Sequence, residues 1–240
     1  MPATDLFASI DKYCERVDAS FWSEPLNAVS NGAFLLAAAC GLVLWRRAGG
    51  RDPAALWLIL VTAAVGIGSF LFHTLANRCS LLADVVPIAV FIYSYVLLAM
   101  RRLLACRWPA ALLLTAAFAL FNLGFERVWF GLVGPVTLNG SVGYLPAALA
   151  LLGVGAVLGV TGLRGPDALG AEEAGRRLRA GRALLTAGAI FGVSLAFRTV
   201  DEAACRSVPI GTHYLWHLLN AAVLFLLTHT AITEAPPARR

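Results

Sequence analysis

Residues 54–75, AALWLILVTAAVGIGSFLFHTL, run for 22 positions without a single Asp, Glu, Lys or Arg. As a helix rising 1.5 Å per residue, such a run crosses the roughly 30 Å hydrocarbon core of a bilayer. Six further apolar runs flank it, at roughly 26–45, 82–100, 108–125, 143–163, 184–200 and 210–232. The expectation is an all-α membrane protein, one seven-transmembrane helix bundle over residues 1–240. Composition agrees: 59% of the 240 residues are hydrophobic and 14% charged, against roughly a quarter charged in soluble domains. Once seven spans are subtracted, no room is left for a large extramembrane domain. Residues 126–146, ERVWFGLVGPVTLNGSVGYLP, read as a link because of their Gly and Pro content. No internal repeat or low-complexity tract is visible. The opening stretch, MPATDLFASIDKYCERVDASFWSEP, lacks the basic start, apolar core and cleavage site of a signal peptide, and is expected to be retained.

The formal charge of +5 does not point to nucleic acid, because the basic residues sit in short links where they set orientation instead. Seven crossings put thirteen basic residues on one side: Arg46, Arg47, Arg51, Arg101, Arg102, Arg107, Arg164, Arg176, Arg177, Arg179, Arg182, Arg239 and Arg240. The other side holds Lys12, Arg16, Arg78, Arg127, Arg198 and Arg206. The positive-inside rule then makes the C-terminus cytoplasmic and places the N-terminus outside. Nine of the fourteen acids fall on the outer side, an acidic rim that favours cations over anionic partners.

Ionisable side chains within these runs are costly, so each is a functional candidate. The second run ends in GIGSFLFHTLA, where Ser69 and His73 stand four apart on one helix face. The third opens with LLADVVP, with Asp84 near its start. The seventh opens with GTHYLWHLL, placing His213 and His217 at i, i+4, the spacing at which two imidazoles reach one metal. The second run heads outward while the third and seventh head inward, so all five groups lie at one depth near the outer side. Three imidazoles that leave a fourth position open are the donor set of catalytic zinc, and Asp84 is placed to act as a base. His229 lies near the other end of the last run and is left out. A single membrane imidazole often does no more than donate to a neighbouring carbonyl, and a membrane serine often bonds back to its own helix; the case rests on the set.

These residues resemble the alkaline ceramidase family. The resemblance is carried by G-I-G-S-F-L-F-H, by an Asp eleven residues after that His, by H-Y-L-W-H on the last run, and by Y-C-E followed by S-E-P-L-N-A-V-S-N near the start. The Ser, Asp and three-His set is also seen in the wider superfamily that includes the adiponectin receptors; the N-terminal motif narrows it to ceramidases. The resemblance implies a zinc-dependent hydrolase that cleaves the amide of ceramide, or of a related N-acyl lipid, to a sphingoid base and a fatty acid by a metal-activated water. His73, His213 and His217 then bind zinc, Asp84 relays the proton from water to leaving amine, and Ser69 steadies the oxyanion or the water. An apolar cavity between helices would hold the acyl chain and base.

The family also carries a calcium site built by its N-terminal segment, for which Asp11, Glu15, Asp18 and Glu24 are the candidates here, with the Tyr13 carbonyl. This chain departs from the pattern: Lys12 stands where the family has an acid, and a two-residue gap precedes S-E-P-L-N. The competing reading is an acidic turn that caps the first helix. A Cys14–Cys205 bond resembles one in the family and requires an oxidising outer compartment; Cys79 pairing with either remains open. Arg198 is expected to form a structural ion pair with Asp201 or Glu202, a role at the ligand headgroup being the minor option. The competing functional class is a receptor-like lipid-binding protein with structural zinc and negligible turnover. Transport is disfavoured because the polar groups cluster at one depth. No feature points to an obligate protein partner. Richness in Ala, Leu, Gly and Arg with a single Lys is associated with a bacterial, high-GC origin; the site would then face the periplasm or exterior, from the inner (cell) membrane.

Overall fold

The computed structural model describes residues 5–164 and 170–234; Arg239 and Arg240 of the charge count lie outside them. The chain folds as α1 (Pro25–Ser30), α2 (Gly32–Arg47), α3 (Pro53–Leu75), α4 (Arg78–Leu98), α5 (Trp108–Val133), α6 (Leu145–Arg164), α7 (Ala171–Ala204) and α8 (His213–Thr233). A π-helical turn, Ala99–Leu103, extends α4, and two 3₁₀ turns, Leu138–Gly140 and Val142–Tyr144, precede α6. With α1 and α2 continuous through Asn31, seven helices are long and apolar enough to cross a membrane, and the chain is an integral membrane protein.

The caps explain where the helices begin. Asp52 accepts from the backbone of Ala54 and Ala55 at the start of α3, with Pro53 in the first turn. Asn77 and Ser80 form a reciprocal capping box that starts α4 at Arg78, four residues before the apolar run. Two sequence expectations are corrected. The fourth span does not end near 125 but continues to Val133, taking in the first part of the stretch read as a link. Interior glycines cost a helix only about 1 kcal/mol each, and the break comes at Gly134, φ +89°, followed by Pro135. The sixth span starts at Ala171, not near 184. Its basic turns stay helical because Arg176 and Arg177 pair with Glu173 one turn back, and Arg176 also donates to the Glu234 carbonyl.

Small residues set the closest approaches, as in other membrane bundles. A Cβ on Gly68 would collide with the backbone carbonyl of Ala83, so α3 and α4 touch directly at the level of Ser69 and Asp84. Gly155 and Gly162 of α6 pack likewise against α7. The N-terminal segment closes one end of the bundle. Ile10 N–H donates to the Ala76 carbonyl and Cys79 N–H to that of Leu6, and a Cys14–Cys205 disulfide joins the segment to the end of α7. Cys79 is free.

Candidate metal centre

Three helix ends meet beneath the N-terminal segment. His73 from the last turns of α3 and His213 and His217 from the first turns of α8 are 2% exposed or less, and one ring nitrogen from each lies within 4.8 Å of the other two. The surroundings decide which nitrogen faces the centre. Glu24 Oε2 holds His73 Nδ1 at 2.6 Å, and His73 Nε2 is left buried without a partner. Ser30 Oγ holds His217 Nδ1 at 2.8 Å, turning Nε2 inward. His213 Nδ1 is likewise buried and unpartnered. Buried imidazole nitrogens without hydrogen bonds are costly, and their convergence is what a metal needs; outer partners on the far ring nitrogens are the usual support of metal-binding histidines. The donor set suits zinc.

Asp84 and Ser69 lie beside this trio. Asp84 is nearly buried, its Oδ1 lacks a hydrogen bond, and Ser69, at the glycine contact between α3 and α4, stands next to its carboxyl. One turn further into the bundle each helix changes character. Val65 on α3, Ile88 on α4 and Asn220 on α8 follow Ser69, Asp84 and His217 by about a turn and line a cavity of about 250 Å³. Its other walls include Phe91, Tyr95 and Trp216, and are almost wholly apolar.

The four acids proposed for calcium do not gather as the histidines do. Among the described residues, the His73, His213 and His217 group is the only one of three or more such side chains that converges. Asp11 and Asp18 are exposed; the Asp18 carboxylate accepts from its own turn at Ser20 and is held below its usual range by those bonds. Glu15 accepts from the N–H groups of Leu26 and Asn27, each at 2.7 Å, and so caps α1. Around Glu24 the cation is supplied by the chain itself. Arg16, nearly buried, donates to Glu24 Oε1 at 2.5 Å, to the Asp18 carbonyl at 3.1 Å and to the His73 carbonyl at 3.0 Å. Burial pushes the Glu24 carboxyl up, but hydrogen bonds from His73, Asn27 and Arg16 outweigh it and hold the group below its usual range. A second cation there would face the guanidinium.

The expected ion pair of Arg198 with Asp201 or Glu202 is also absent. Asp201, fully buried, accepts instead from the N–H groups of Thr212, His213 and Cys14 at 2.6, 2.9 and 3.2 Å. It thereby fixes the entry of α8 and the first metal-site imidazole. Arg198 donates to the hydroxyl of Tyr13 at 2.8 Å, and the Tyr13 ring stacks on His213 with centroids 3.7 Å apart. Arg16 and Ser30 carried no assigned role in the sequence, and Asp201 carried a different one, as a partner of Arg198. Each acts through a partner far along the chain, and only the dense polar block S-E-P-L-N-A-V-S-N at the start of an apolar run hinted at any of them.

A family model described as Ceramidase matches residues 8–235, nearly the whole chain. No curated protein matches it.

Proposed function

The chain belongs to the ceramidase family, and from that premise we propose that it is a zinc-dependent intramembrane amidase. It hydrolyses ceramide or a related N-acyl lipid to a sphingoid base and a free fatty acid. The observation that carries this reading is the convergence of His73, His213 and His217, with His73 Nε2 and His213 Nδ1 buried and unpartnered, one turn from an apolar cavity and with the likewise unpartnered Asp84 Oδ1 in the neighbouring helix.

His73, His213 and His217 would hold the metal, which when bound supplies Lewis acidity toward a carbonyl and lowers the pKa of water to about 7. The protein does the rest. Glu24 and Ser30 keep the two far imidazole nitrogens occupied and the near ones aimed inward. The Asp84 carboxylate accepts the proton of the attacking water and returns it to the departing amine, work that needs the free acceptor atom found there. Ser69 donates to the oxyanion that develops on the amide oxygen or orients the water. The cavity takes the acyl chain and keeps bulk water from the developing charges. That free carboxylate oxygen favours turnover over a purely structural zinc. The acidic N-terminal side faces outward in this reading, and the basic side faces the cytoplasm.

Purified protein is expected to contain about one zinc per chain. His217→Ala should lose both the metal and the release of fatty acid from ceramide, and Asp84→Asn should keep the metal while losing turnover. Hydrolysis that persists in metal-free protein would refute the assignment.

A further inference from the structure

We propose that Lys12 and Arg198 form a subsite for an oxyanion on the amine side of the scissile amide, so that the preferred substrate is an anionic N-acyl lipid, bearing carboxylate or phosphate, rather than a neutral ceramide. The proposal deepens the amidase reading and rests on it for where the amide lies.

Arg198 is 6% exposed. Its guanidinium lies over the rings of Trp216, Tyr144 and Tyr13, at 5.2, 5.4 and 5.8 Å from their centroids. One nitrogen donates to the Tyr13 hydroxyl, and Nε is buried with no partner. Among the described residues no carboxylate stands within ion-pair distance of it. A phenol is uncharged at neutral pH, so the Tyr13 hydroxyl brings no counter-charge. Guanidinium does not shed its proton in proteins, so the positive charge persists without a counter-ion in contact.

Lys12 brings a second cation to the same place. Its Nζ and a terminal nitrogen of Arg198 stand 3.1 and 3.3 Å from the point where a Cβ on Gly140 would lie. Gly140, with φ +72° and no side chain, covers neither. Partial desolvation and the Arg198 charge hold the Lys12 ammonium below the usual lysine range. Asp84 acts on both cations at longer range. The Glu24 charge is matched by Arg16 and Asp201 is bonded to three N–H groups, so neither is free to serve. The acids expected to form a cation-attracting rim, Asp11 and Asp18 among them, are solvated at the surface, as much of Lys12 is, and none of them pairs with the buried Arg198.

Position supplies the substrate geometry. Tyr13 bridges Arg198 to His213, while Tyr144 and Trp216, which underlie the guanidinium, also line the apolar cavity. A lipid with its chain in that cavity and its amide at the histidines places its headgroup beside Lys12 and Arg198. A planar guanidinium with free N–H groups matches carboxylate and phosphate alike.

The zinc-loaded protein in micelles is offered three substrates with one acyl chain: N-acylsphingosine, its 1-phosphate, and an N-acyl amino acid with a free carboxylate. At least one charged substrate should exceed the neutral one in kcat/KM by roughly 10-fold or more, and the two charged arms tell phosphate from carboxylate. Lys12→Ala, on the N-terminal segment, should collapse that ratio mainly through KM. Arg198→Lys should retain part of it, and Arg198→Met none. A ratio of one or less, or a ratio unmoved by Lys12→Ala, overturns the subsite even if ceramide is cleaved. Should nothing be cleaved, equilibrium binding of the same three lipids to zinc-loaded Asp84→Asn decides separately. A Lys12-dependent preference for the charged lipids upholds the subsite without the amidase, and equal binding rejects it.

Discussion

Arg16 and Arg198 are both at least nine-tenths buried, both lie within one residue of the metal-site histidines through their partners, and they are opposites in how their charge is met. Arg16 has a carboxylate and two carbonyls in contact; Arg198 has a phenol, three ring faces and an unused N–H. A buried ion that is fully paired holds elements together, and removing one partner leaves the other stranded at a cost of about 3–5 kcal/mol. A buried cation met by ring faces and a phenol has no carboxylate to strand, and its unused N–H leaves room for a ligand in the proposed subsite.

The sharpest way to break this contrast is to delete each charge in turn. Arg16→Met should lower unfolding stability by about 3–5 kcal/mol and reduce zinc content, because Glu24 and then His73 lose their anchor, whereas Arg198→Met should cost less, about 1–3 kcal/mol, because it strands only the Tyr13 hydroxyl and no carboxylate. Equal losses, read by thermal unfolding with metal analysis, would erase the distinction. Next in size is the disulfide, whose replacement in the Cys14→Ser, Cys205→Ser double variant should cost about 2–5 kcal/mol. It tethers Tyr13 and Lys12 over Arg198, while Glu15 independently binds the segment to α1. Headgroup discrimination should therefore suffer more than zinc binding.

A third test uses a partly exposed pair at the opposite end of the bundle, Asp52 with Arg102. The hydrogen bonds from Arg102 hold the Asp52 carboxyl below its usual range. Its contribution is thus complete above about pH 4 and fades as pH falls through the lower folded-state value. Asp52→Asn should cost only about 1 kcal/mol and flatten the acid limb of a stability-against-pH curve. The smallest effect is expected from calcium. Millimolar calcium or a calcium-selective chelator should leave the melting temperature unchanged, since Arg16 already meets Glu24; a clear shift would mean that the guanidinium gives way to the ion.

The seven spans were legible because hydropathy alone marks them, and the histidines because i, i+4 spacing and alternate helix direction place them at one level. The ends were less so: hydropathy falls at Arg182 and at Glu126, yet helix propensity carries both helices on, helped on α7 by the Glu173 pairs with Arg176 and Arg177. The Arg16 to Glu24 contact, the Asp201 cap and the isolation of Arg198 depend on residues up to 187 positions apart, and no local pattern encodes them. Reading Arg198 with the acids that follow it assumed that neighbours in sequence are partners, but on α7 Asp201 turns to the start of α8 instead.

His73 and His213 are 140 positions apart, on the second and the last of the crossings. A polypeptide still emerging from the ribosome therefore owns a single imidazole of the three until its final helix has been made and inserted. In the proposed function, metal capture, and with it any attack on the lipids of the membrane in which the chain is being built, waits for the closing step of biosynthesis.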